Sequence, residues 1–202
     1  MTKLNIDDLT KKDSLEDFIN EYSLFENISF KNYYDYLEIK SSYFKKCNFE
    51  GVTFQGIDIE DTILENCNLS NQDFSSRSFN NVEFINCNLV GINLTDTYLE
   101  NVTFKDCNLL YSNFTNSKMK NIEFINCNLE DASLNNIKWK KLTLDNCILK
   151  NTEFQKTSLK DLDLSSCEIS GLSLDINHVR GLIVSYHQAA IISTILGIKI
   201  KD

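Results

Sequence analysis

An all-β coil with four sides is the fold this sequence predicts, and two periods carry the prediction. Large apolar residues recur at every fifth position from Phe44 to Val184 without a missed step. All seven cysteines, from Cys47 to Cys167, lie twenty residues apart. Four units of five therefore make one turn, and each face returns at every twentieth residue. A strict five matches neither the 3.6-residue period of a helix nor the alternation of a plain strand. Repeats of twenty to fifty residues are the mark of stacked-coil architectures.

Each five-residue unit has its own logic. Two positions before the ladder residue stands a smaller one, commonly Cys, Val, Ile, Thr, Ser or Ala. Two positions after it Asn, Asp or Gly predominates, as at Gly91, Asp96, Asn101 and Asp106. These residues tolerate tight-turn backbones, so each unit is expected to turn one corner. Gln72 and Arg77 break the pattern at inward positions. A buried, unpaired guanidinium is costly, so Arg77 is expected to swing outward toward Asp58 or Glu100.

The units read CNLED (127–131), CNLVG (87–91) and INLTD (92–96). They resemble the pentapeptide-repeat family, written A-(D/N)-L-x-x around a central Leu or Phe, over about residues 42–186. The resemblance implies a right-handed quadrilateral β-helix.

Before the solenoid, residues 14–22 (SLEDFINEY) predict a short amphipathic cap helix, with Ser14 as N-cap and Asp17 in its first turn. The fives slip phase between Phe30 and Tyr34, which predicts an irregular first coil. The expected organisation is a cap and irregular coil over 1–41, the solenoid over 42–184, and a carboxy-terminal helix and strand over 185–202. Terminal repeats are commonly atypical because they close an open stack.

Beyond the ladder, Ser185 with Gln188 forms a capping-box pattern, and Gly197 stands where a helix C′ glycine belongs. The helix presents Ala189, Ile191, Ile192, Ile195 and Leu196 as an apolar stripe. Ile198 and Ile200 then alternate with lysines as a short strand. One coil end is narrow for so much apolar surface, which predicts a homodimer through these residues. Residues 175–202 are similar to the carboxy-terminal module of the Qnr-type quinolone-resistance group. That resemblance implies end-to-end dimers and an acidic rod that mimics duplex DNA to bind DNA gyrase and topoisomerase IV. Several members of the group carry loops that leave the column. The unbroken register here has no room for them.

Charge divides the faces. The chain carries a net −9 at neutral pH. The third face nets +3, with Lys118, Lys120, Lys138, Lys140, Lys141 and Lys160 prominent. The fourth nets −5, through Glu65, Glu83, Asp106, Glu123, Asp145 and Asp163 against Lys105. Coils stack at roughly 4.8 Å and DNA phosphates at about 3.4 Å, so the carboxylates form a row of broadly comparable pitch. Such a face serves either as a DNA mimic or as a solubilising surface. Val90, Leu110, Tyr111 and Ile148 on the Cys face, with Ile85 and Ile125 on the acidic one, offer a protein-binding alternative: a scaffold without topoisomerase activity.

Chemistry is not expected. The cysteines predict an inward column of reduced thiols rather than disulfides or a metal site. His178 and His187 stand in no catalytic or ligand pattern, and no phosphate loop, dinucleotide fingerprint or nucleophile elbow occurs. No cofactor and no enzymatic activity are expected. A net negative chain is a poor general binder of nucleic acid. The amino terminus has no apolar run for a signal peptide or membrane anchor, so a cytoplasmic location is expected.

Overall fold

The computed structural model describes residues 4–16, 18–31, 33–54, 56–195 and 197–201. It is a β-solenoid of about 8 turns closed by one carboxy-terminal helix. Its corners follow from local backbone chemistry. A positive φ recurs at every fifth residue from Asp61 to Asp161, mostly at Asn, Asp or Gly. Gly91 shows why the residue type matters: its φ is 67°, and a Cβ there would lie 2.5 Å from the Asn71 side chain. At other corners asparagines form ladders across coils, as where Asn101 Nδ2 donates to Asn81 Oδ1 at 2.9 Å.

The ladder residues fill the interior. Phe74, Phe79, Phe84, Phe104, Phe114, Phe124 and Phe154 are fully buried. The inward residue two places earlier also makes a hydrogen bond, because its side chain donates to the main-chain carbonyl twenty-three residues back. Cys107 Sγ does this to Phe84 O, Ser117 Oγ to Leu94 O, Thr157 Oγ1 to Leu134 O and Gln72 Nε2 to Phe49 O. Gln72 thus extends the pattern with a longer arm, and a buried polar group keeps a partner. Arg77 is half-buried. Its Nη1 lies 3.5 Å from where a Cβ on Gly56 would stand, beside Tyr36, whose hydroxyl donates to Asp58 Oδ2 at 3.0 Å.

The faces differ in pairing. Strands Ile57–Glu65, Ser78–Ile85, Tyr98–Lys105, Lys118–Ile125 and Lys138–Asp145 each run along the third face, round the next corner and along the fourth. They pair in parallel with a twenty-residue register, as Leu99 with Met119. These two faces therefore share one ten-stranded sheet among the described residues. The Cys face and its successor are joined by single bridges such as Asn88 with Asn108.

The amino-terminal cap helix is not formed. Phe18–Glu21 is a strand that pairs with Leu37–Lys40, and the helical element there is a single 3-10 turn at Ile6–Asp8. Asp17 lies outside the described residues. The open edge of the sheet supplies the reason, because pairing it satisfies a row of main-chain groups that a cap helix would leave exposed. Asn20 occupies a buried ladder position and holds the chain by two bonds to the Glu16 backbone, at 2.8 and 2.9 Å. The phase slip is one four-residue corner. Phe25 stacks on Phe44 with centroids 4.6 Å apart, and Phe30 on Phe49 at 4.8 Å.

At the other end the capping box forms as the sequence predicts. The Ser185 N–H donates to Gln188 Oε1 at 2.7 Å, and the Gln188 N–H to Ser185 Oγ at 3.4 Å. The helix spans Tyr186–Ile195. Gly197 has φ 78°, and the N–H groups of Gly197 and Ile198 return to Thr194 and Ser193 carbonyls, a Schellman closure. Gln188 also plays the inward residue for the last coil, its Nε2 donating to Leu164 O and Cys167 O at 2.9 and 2.6 Å. Gln188→Leu strands the Cys167 carbonyl, leaves Leu164 O with the Cys167 N–H alone, and breaks the cap, so a loss of about 2 kcal/mol is expected in urea denaturation. An unchanged midpoint would show that the helix is not coupled to the column. The strand expected at Ile198–Ile200 is absent, since a strand needs a neighbouring edge and the isolated chain offers none there.

Candidate functional site: the acidic face

The fourth face is a sheet surface, so its side chains alternate in and out and fall into columns. One outward column reads Ile63, Glu83, Thr103, Glu123 and Thr143 in register. Its neighbour reads Lys45, Glu65, Ile85, Lys105, Ile125 and Asp145. Asp106 stands at the corner, where its Oδ1 accepts from Asn126 Nδ2 at 3.0 Å. Asp163 continues the face and bridges to Ile183. The six carboxylates are thus brought to one flank, one per coil, but they zigzag over three columns instead of forming a single row. Within a column, Glu83 and Glu123 are two coils apart, roughly 10 Å.

Each carboxylate has a distinct setting. Glu65 is half-buried and accepts from the Tyr43 hydroxyl and from Asn66 Nδ2. Glu83 is half-buried, while Asp106, Glu123, Asp145 and Asp163 are exposed. Asp145 accepts from Ser166 Oγ at 3.2 Å. Hydrogen bonds from Ser165, including its N–H at 2.8 Å, hold Asp163 below the ordinary carboxylate value. Among the described residues none of the six is in an ion pair, whereas Glu130 on the Cys face is matched by Lys150 at 2.7 Å. The fourth face is therefore charged and unneutralised. Sequence counting missed its start, because Lys45 pairs across from Glu65 and the Tyr43 hydroxyl reaches the Glu65 carboxylate.

The apolar positions are also placed. Ile85 and Ile125 are half-buried and separated by Lys105. Val90 and Leu110 stand on adjacent coils, and Tyr111 beside them is 60% exposed. Ile191 and Ile192 pack against the last coil, while Ala189 and Ile195 face outward. Ile198 and Ile200 are exposed, and Leu196 lies outside the described residues.

The cysteines form one buried column, all free, each Sγ aimed at a carbonyl of the preceding coil. Among the described residues no group of three or more His, Cys, Asp or Glu side chains is arranged to hold a metal ion. No helix among them is long and apolar enough to cross a membrane.

Comparison with known proteins agrees with this geometry. Residues 42–89 match the family model for pentapeptide repeats (8 copies), and residues 77–146 match that for a pentapeptide repeat region. Comparison with curated protein sequences returns no match. Among solved structures, full-length QnrB1, a plasmid-mediated fluoroquinolone resistance protein, is 23% identical with a TM-score of 0.50, covering 93% of this chain and 95% of that one. A trypsin-treated variant of QnrB1 is 20% identical with a TM-score of 0.52, covering 93% and 100%. At this identity the likeness shows a shared fold. With its five-residue ladder, its left-handed corners and its matches to the repeat models, the chain belongs to the pentapeptide-repeat family.

Proposed function

We propose that the chain is a DNA-mimicking solenoid that binds DNA gyrase, topoisomerase IV or both through its fourth face. One observation carries the reading: an unpaired carboxylate on every coil from Glu65 to Asp163, on a flank with no inserted loop. A surface built to hold phosphates attracts such a flank over long range, and a rigid column loses little entropy on docking. A column of the same fold as a fluoroquinolone resistance protein is compatible with this reading. Protection from quinolones would then rest on the column alone.

The test is a gyrase supercoiling assay with and without a quinolone. Inhibition or protection by the natural chain is expected. Glu83→Lys with Asp106→Lys and Glu123→Lys should remove it, whereas reversing Asp58, Glu60 and Asp61 on the third face should do much less. Equal activity of the first variant would overturn the mimicry. The stacked Val90, Leu110 and Tyr111 favour the second reading, a scaffold for another protein, and a chain inert toward topoisomerases would promote it.

The same reading includes a homodimer through the carboxy-terminal module. Ala189, Ile195, Ile198 and Ile200 leave apolar surface uncovered, and a strand at Ile198–Ile200 would form against its two-fold mate. Ile192 packs inward, so Ile195→Glu with Ile198→Glu is the cleaner variant. Sedimentation at micromolar concentration should give a dimer for the natural chain and a monomer for the variant. A natural monomer would end the idea.

A further inference from the structure

The sheet is interrupted at one seam. The corner between third and fourth faces is a left-handed residue within a continuous strand at Asp61, Asn81, Asn101, Asn121 and Lys141. In the next coil the same corner becomes a turn closed by the Leu162 N–H on Leu159 O at 3.1 Å. The two corner types do not stack, so Lys138–Asp145 is the last strand of the sheet. Among the described residues, no main-chain hydrogen bond joins it to residues 158–165, while the Cys face and its successor remain bonded across the same pair of coils. The main-chain N–H groups of Trp139, Lys141 and Ser158 accordingly make no main-chain hydrogen bond across this seam, although their equivalents elsewhere, such as Lys138 on Ser117 O, are paired. The indole N–H of Trp139 takes over one lost bond, donating to Ser158 O at 2.7 Å.

This seam opens a groove of about 490 Å³ on the third face, lined by Lys138, Trp139, Lys156, Ser158, Lys160 and His178. A second hollow shares Ser158, Lys160 and His178 and adds Arg180. Lys138, Lys156, Lys160 and Arg180 make no ion pair among the described residues. One coil row away the comparable Lys120 is neutralised by Glu100. His178 is held by Asp175 through Nδ1 at 2.9 Å, which fixes its ring at the groove wall. In a chain of net charge −9, three lysines without an ion pair line this groove and Arg180 lines the hollow beside it, a concentration of positive charge that favours an anion.

We propose that the seam groove binds a compact phosphate-bearing anion with two or more linked phosphoryl groups. Its volume is that of an ordinary small-ligand site. Compactness follows from the surroundings. The acidic fourth face lies one corner away and repels a long polyanion, whereas a short one stays inside the local field, because screening acts within about 8–10 Å. A peptide strand is excluded from the seam, since the Trp139–Ser158 bond spans it.

Trp139 is the single tryptophan of the chain, so its emission reports on this groove. The full chain is titrated at low ionic strength with inorganic triphosphate and with adenosine triphosphate, followed by tryptophan emission and by calorimetry. Saturable binding of both is expected, and tighter binding of the nucleotide would add a contact between its base and the groove. Lys138→Ala with Lys160→Ala should weaken either ligand at least about tenfold. Both side chains are exposed, so the melting temperature of that variant should be unchanged. Lys105→Ala, on the fourth face, should leave binding unchanged. Absence of heat and emission change at about millimolar triphosphate would overturn the proposal, as would equal affinity in the double variant. Displacement of triphosphate by a more tightly bound single-stranded oligonucleotide would replace it with a nucleic-acid surface.

Discussion

Phe104→Ala is expected to cost about 3–5 kcal/mol and to divide the column into two weakly coupled halves. Phe104 is fully buried and lies in a stack. Its ring is nearly parallel to Phe84 at 5.0 Å and to Phe124 at 4.8 Å, and edge-on to Phe114 at 6.0 Å. A solenoid coil touches only its neighbours, so a cavity there removes contacts on both sides at once. Urea denaturation followed by circular dichroism should show a lower midpoint and a broader transition. Phe54→Ala, at a half-buried ring near the amino-terminal end, should cost clearly less. Equal losses at the two sites would mean that neither the fuller burial nor the closer ring stacking of Phe104 adds to stability.

The second large effect is alkaline unfolding. Contact with Cys127 and burial raise the Cys147 thiol from the ordinary 9.0 to about 12, and Cys107 with burial does the same for Cys127. Cys47, Cys87 and Cys167 are raised as well, each by a neighbouring thiol and by burial, whereas hydrogen bonds from the thiols on either side lower Cys67 and Cys107, so the alkaline loss rests on the five raised groups. A raised folded pKa gives stability that is complete below the unfolded value of 9.0 and lost as pH climbs toward about 12. Each thiol that ionises only in the unfolded chain removes about 1.4 kcal/mol per pH unit. The melting temperature should therefore fall steeply between about pH 9 and pH 11. Cys127→Ala with Cys147→Ala should flatten that fall, and all seven thiols should resist a thiol reagent until the chain unfolds. Native-state labelling of Cys107 would contradict the buried column.

How much of this was legible in the sequence depended on whether a feature repeats. The corners, the ladder and the cysteine column repeat, and each is found where the periods place it. The carboxy-terminal cap was readable from Ser185, Gln188 and Gly197, because capping chemistry is local. The first coil was not, since Asn20 hides a ladder position behind a polar residue and Phe30 to Tyr34 is a four-residue step. A helix-like local pattern there yields to pairing with Leu37–Lys40. The zigzag of the acidic face escaped a charge count because face membership does not specify a column. The seam at Trp139 escaped because strand and turn corners share the same residue types. They differ in whether one N–H, that of Leu162, turns back on its own coil.

The proposed function is tested most directly by equilibrium binding of the purified chain to purified gyrase, measured across a salt series and in competition with duplex DNA. The fourth-face mechanism predicts binding that weakens steeply as salt rises, is displaced by DNA, and disappears with Glu83→Lys, Asp106→Lys and Glu123→Lys together. Binding insensitive to both salt and those three changes, or no binding by the natural chain at low salt, would contradict it.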